Sequence, residues 1–178
     1  MGKASRRKKR RRNLCQLDEL ASRSFDRQVT REALEQFPGA KLGERPAAYS
    51  SSSDVLEELM TPWIEDLPSH APLTHYQSVV QLALLAWNAM EIEDDPFSAV
   101  KFIISGMKDE LRVPAGLETI LLEMCIRKAE RFPDDHRIFI NASMARMPSG
   151  QLRLTATASF PSGPDSTAPV RQIDHGRE

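Results

Sequence analysis

After Pro133 the spacing of apolar residues changes from a period near 3.6 to a period of 2, so helices must come first and strands last. Ahead of that point the stripes are helical. Asp54 and Glu57 cap a helix carrying Val55, Leu56, Leu59, Met60, Trp63, Ile64 and Leu67 on one face. Thr74 and Gln77 form a capping box for a second, running to about Glu91. Its Val79, Val80, Leu82, Leu84, Leu85, Trp87 and Met90 surround the axis, which places it at the centre of a bundle. Asp95 as N-cap and Pro96 in the first turn start a third. It buries Phe97, Val100, Ile103, Ile104, Met107 and Leu111, and Pro114 ends the segment. A last helix near 115–132 buries Leu117, Ile120, Leu121, Met124, Cys125 and Phe132.

Beyond Pro133, residues 137–147 alternate Ile138, Ile140, Ala142 and Met144 on one face. Residues 151–159 set Leu152, Leu154, Ala156 and Ala158 against Arg153, Thr155, Thr157 and Ser159. Pro148-Ser149-Gly150 supplies the turn between them. A lone hairpin is marginal in water, so its apolar face must pack on the helices. Its edges offer unpaired backbone groups to a second copy or a partner strand. Arg137, Arg146 and Arg153 are the charges available to blunt them.

The start of the chain obeys a different rule. Its first twelve residues hold Lys3, Arg6, Arg7, Lys8, Lys9, Arg10, Arg11 and Arg12 and no acid. Like charges with nothing apolar to bury imply a disordered basic arm over 1–12. Asn13 to Phe37 reads as a helix, with Leu17, Ala21, Phe25, Val29, Ala33 and Phe37 every fourth residue, stopped by Pro38-Gly39. Residues 38–52 read as a linker, 53–160 as the globular domain and 161–178 as a disordered tail. The expected fold class is α+β: four to five helices in a bundle, then a C-terminal β-hairpin, with disordered termini.

The charge layout carries the functional reading. A net charge of −1 hides an arm of +8 on a body of −9. The eight arm cations are the candidate nucleic-acid-binding residues, acting on phosphates without reading sequence. No aromatic interleaves with them to stack single-stranded bases. Arg23, Arg27 and Arg31 could continue the track, but Glu19–Arg23 and Arg31–Glu35 also fit ordinary helix-surface pairs. Between Arg45 and Lys101 there is no Lys or Arg, while nine acids occur: Asp54, Glu57, Glu58, Glu65, Asp66, Glu91, Glu93, Asp94 and Asp95. Helix-dipole complementation explains only some of them.

Catalytic and cofactor signals are weak. Asp134-Asp135-His136 reads as a turn rather than an acid–base cluster, and His70 and His75 straddle Pro72 with no third ligand near. Gly39 and Gly43 lack the spacing of a phosphate loop. Two cysteines, Cys15 and Cys125, fit a reducing compartment, and Cys125 reads as a small buried apolar residue. Asp18 and Glu19 stand where a signal peptide would need an apolar run, and no run is long enough to span a bilayer. Asn141-Ala142-Ser143 is a chance sequon without secretion, and Arg6 stands where myristoylation of Gly2 needs Ser or Thr. The expectation is a cytoplasmic, non-catalytic binding protein without metal, cofactor or membrane, using its arm on nucleic acid or a ribonucleoprotein. The alternative is an interaction module whose acidic helical body docks a basic partner protein. A homodimer through the hairpin edge is a further expectation.

Overall fold

A computed structural model describes residues 3–36, 50–107 and 114–160, with side chains in the first segment from Leu17 to Glu35. The elements are α1 (Lys3–Gln36), α2 (Ser52–Glu65), α3 (Leu73–Met90), α4 (Pro96–Met107), α5 (Leu117–Arg131), β1 (Ile138–Arg146) and β2 (Leu152–Ser159). Five helices followed by a two-stranded antiparallel hairpin make the fold α+β. Residues 38–49 of the linker expected over 38–52, Leu111 and the tail 161–178 lie outside the described residues, while Ser51 and Ser52 at the linker's end already cap and begin α2.

Several helix boundaries follow from local chemistry. Asp95 caps α4, its carboxylate accepting from the Ser98 N–H at 2.8 Å, with Pro96 at the first helical position. Gly116 adopts φ +89° before α5, a left-handed conformation that suits glycine. Other boundaries depart from expectation. The cap of α2 is Ser51, whose hydroxyl accepts from the Asp54 N–H at 3.0 Å, so Asp54 lies inside the helix. Pro72 precedes α3 without a side-chain cap, and Gln77 is used elsewhere. The backbone of α1 is helical from Lys3, so the boundary expected at Asn13 does not interrupt it.

Pro62 sits inside α2 and has no N–H, which deprives the Glu58 carbonyl of its helical donor. Arg127 of α5 supplies the replacement, donating from Nη2 at 3.1 Å. The helix irregularity thereby becomes a link between α2 and α5.

α3 occupies the centre, packed against α2, α4, α5 and β1. Its buried residues are Tyr76, Val80, Ala83, Ala86, Trp87 and Ala89. Close approach of neighbours on so many sides favours alanines over the leucines expected there, and Leu85 is exposed. Phe97 at the start of α4 is likewise 60% exposed rather than buried.

The hairpin is covered on both faces. One face joins the helical core through Phe139, Ala142, Met144 and Ala158. α1 packs on both strands, with Val29 and Ala33 buried and Thr155 and Thr157 buried beside them. The face read as polar is therefore partly covered by α1, with Thr155 and Thr157 buried and Arg153 still exposed. A bulge between Phe139 and Asn141 shifts the alternation of β1: Phe139 is buried and Ile138 is 52% exposed, reversing the expected parity at the strand's start.

Candidate functional site

Three amide side chains on α3 engage the outer edge of β1. Gln77 accepts from the Met144 N–H at 2.9 Å and donates to the Ala142 carbonyl at 3.3 Å. Gln81 reaches the same carbonyl at 3.5 Å. Asn88 both accepts from the Phe139 N–H at 2.9 Å and donates to its carbonyl at 2.8 Å, as a neighbouring strand would. Trp87 adds an indole N–H donor to the Arg137 carbonyl at 2.7 Å. These contacts occupy the β1 positions through which another strand would pair on that side of the hairpin.

The β2 edge is different. Ser53 accepts from the Ala156 N–H at 3.2 Å, so α2 closes that position. The register pairs Ala142 with Ala156 and Met144 with Leu154. Because the Met144 and Ala156 amides point outward, these are the wide, non-hydrogen-bonded pairs, and the Leu154 N–H and C=O point outward too. Among the described residues nothing bonds them.

Beside that edge lies a cleft of about 630 Å³ between α2 and β2, bordered by Asp26 of α1. Met60, Ile64, Met144, Leu152 and Leu154 contribute apolar surface, and Asp54, Glu57 and Glu65 line it from α2. Arg153 is the cation among the lining residues, and Asp26 holds it at 2.8 Å. Asp26 also accepts from Thr155 Oγ1 at 2.6 Å. Burial pushes the Asp26 carboxyl up, but the Arg153 and Thr155 hydrogen bonds and the Arg153 charge together outweigh it and hold the group below its ordinary 3.8. These bonds, with Asp18 accepting from the Ser149 N–H at 3.0 Å, fix α1 along the hairpin.

Two further acids of the cation-free stretch pair with cations of α5. Glu58 pairs with Arg131 at 3.0 Å. Glu91 is buried against Lys128 at 2.6 Å, and Lys128 Nζ sits 5.2 Å from the Trp87 ring. Lys128 falls on the apolar stripe of α5, four residues after Met124 and three after Cys125, but its sequence position gives no hint of the partner it meets there. The Asp135 carboxylate binds the fully buried Arg137 at 2.6 Å, while His136 turns to Glu91 at 3.1 Å. Adjacent residues of the Asp134-Asp135-His136 turn thus serve different partners, and Arg137 is an internal anchor rather than an edge-blunting charge.

Arg23 and Arg31 pair with Glu19 and Glu35 at 2.6 and 3.7 Å, the helix-surface arrangement. Lys3, Arg6, Arg7, Lys8, Lys9, Arg10, Arg11 and Arg12 fall on the first turns of the α1 backbone, and their side chains lie outside the described residues. Counting back from Asp18, which meets the hairpin turn, this part of α1 extends about 22 Å at 1.5 Å per residue. Burial pushes the Cys125 thiol up to about 11, which suits a core residue. Among the described residues no group of three metal-ligating side chains forms, and no helix is long and apolar enough to cross a membrane. Comparison with protein-family models, curated proteins and solved structures gives no match.

Proposed function

We propose that this chain is a non-catalytic binding protein that engages nucleic acid or a ribonucleoprotein through the basic first turns of α1. The observation carrying the proposal is the separation of charge: eight cations precede Asp18, and the body behind them is acidic. Arg6 to Arg12 are seven consecutive cations, a spacing that favours no single helical face. That distribution suits contact with phosphates on any side and supplies no single face for reading base edges. It also sets like charges four apart, at Arg6–Arg10, Arg7–Arg11 and Lys8–Arg12, at the helix end where the dipole disfavours cations. A bound polyanion relieves both penalties. The acidic body repels phosphate, which confines contact to this end of the molecule.

The acidic cleft separately favours a second reading, in which the body docks a basic partner protein. The first reading is tested by the ultraviolet absorbance ratio of purified protein before and after a high-salt wash, with and without residues 1–12. Full-length protein should carry nucleic acid that salt removes, and the truncated protein should carry almost none. Equal nucleic-acid content in both would move the site to the body.

A further inference from the structure

We propose that the cleft between α2 and β2 receives an extended segment of a partner protein, in which basic and apolar residues alternate, as a third strand on the β2 edge. The inference rests on the second reading above, that the acidic body docks a basic partner, and specifies how.

Two independent observations meet at one place. The first is backbone: the N–H and C=O of Leu154 point out of the hairpin toward the cleft without a described partner, whereas β1 is engaged by Gln77, Gln81 and Asn88. A strand can therefore be added on the β2 side, and its main-chain hydrogen bonds supply affinity while alternate side chains supply selectivity. The second is charge. Asp54, Glu57 and Glu65 are exposed on α2 beside apolar Met60 and Ile64, and Arg153 is already neutralised by Asp26. An added strand sends successive side chains to opposite faces, so apolar residues can cover half-buried Ile64 and Leu154 while the intervening ones, toward the open side of the cleft, carry on long stems the cations that the exposed carboxylates attract. The chain's own arm is excluded as occupant, because α1 passes the cleft at Asp26 and continues as a helix away from it. The arm also has almost no apolar residue to lay on the floor.

The test uses the full chain and a labelled, end-blocked peptide of about eight residues, the length of a long strand, in which Lys and Leu alternate. Fluorescence anisotropy at about 150 mM salt should show binding, and a Glu-Leu peptide should show none. N-methylation of either all Lys or all Leu amides removes the donors of one peptide edge. One of these two peptides should bind at least about tenfold more weakly while the other retains affinity. Replacing the exposed carboxylates in the double variant Glu57→Gln, Glu65→Gln should also weaken binding by about tenfold, and the Leu154 amide should become protected from exchange on binding. Indifference to both methylations, or an unprotected Leu154 amide, would overturn strand addition while leaving basic docking intact. Failure of the Lys-Leu peptide to bind would overturn both. A dimer of the protein alone that this double variant dissociates would assign the cleft to a second copy and also overturn the proposal.

Discussion

At the scale of single residues, Trp87 concentrates the packing. Its ring lies 5.3 Å from Phe132 and 5.2 Å from Phe139, with Lys128 over it, and its N–H holds the chain where α5 passes into the hairpin. Trp87→Ala removes a fully buried aromatic and leaves the Arg137 carbonyl without that donor. We expect a loss of about 3–5 kcal/mol in chemical denaturation, a large share of a small domain's stability. A variant that unfolds at the wild-type midpoint would contradict the packing described. The centrality of Trp87 is legible in the sequence because it sits on a helix whose apolar residues surround the axis. Arg137 is not, because a buried cation is recognisable only by its partner, and the same holds for the partner of Lys128, although its place on the α5 stripe is legible. Glu91 lies far from Lys128 in sequence and meets it only after α3 and α5 pack. Gln77, Gln81 and Asn88 did leave a signal, since spacings of four and seven put three amides on one side of α3.

At the scale of elements, the hairpin and the four helices of the body follow from periodicity, while their boundaries and covers do not. Alternation predicts β1, but a bulge at Ile140 is one extra residue that periodicity cannot distinguish from register, so the apolar set began on the wrong face. The stripe of α1 is weak because much of its attachment is polar. Asp26 holds Arg153 and Thr155, and Asn141 donates to the Val29 carbonyl at 3.3 Å. That chemistry makes the docking of α1 acid-sensitive. The Asp26 carboxyl is held below 3.8 in the folded protein, so its contribution is fully present above that value and is lost as pH falls through the lower folded value. Exchange protection of the Thr155 and Thr157 amides, corrected for intrinsic rates, should fall as pH drops below 3.8. Asp26→Asn should lower the neutral-pH protection and flatten this acid response. An unchanged response in that variant would remove Asp26 from the docking contact.

At the scale of the whole molecule, the polarity of charge was legible in full, because it is a property of composition along the chain. The cleft was not, since it joins Asp26, α2 and β2, three stretches widely separated in sequence. The sequence accounted for the supply of acids and could not show that Asp54, Glu57 and Glu65 would share a wall with apolar residues and an outward strand edge. The central claim, that the basic end of α1 binds polyanions through phosphate contacts, has a direct quantitative signature. Affinity for an arbitrary DNA duplex, measured across a salt series, should give a slope of log K against log salt of about −7 if all eight cations contact phosphate. Removing residues 1–12 should abolish nearly all binding and leave a slope near zero. A full-length slope near zero, or a truncated protein that keeps both the affinity and the slope, would contradict the claim.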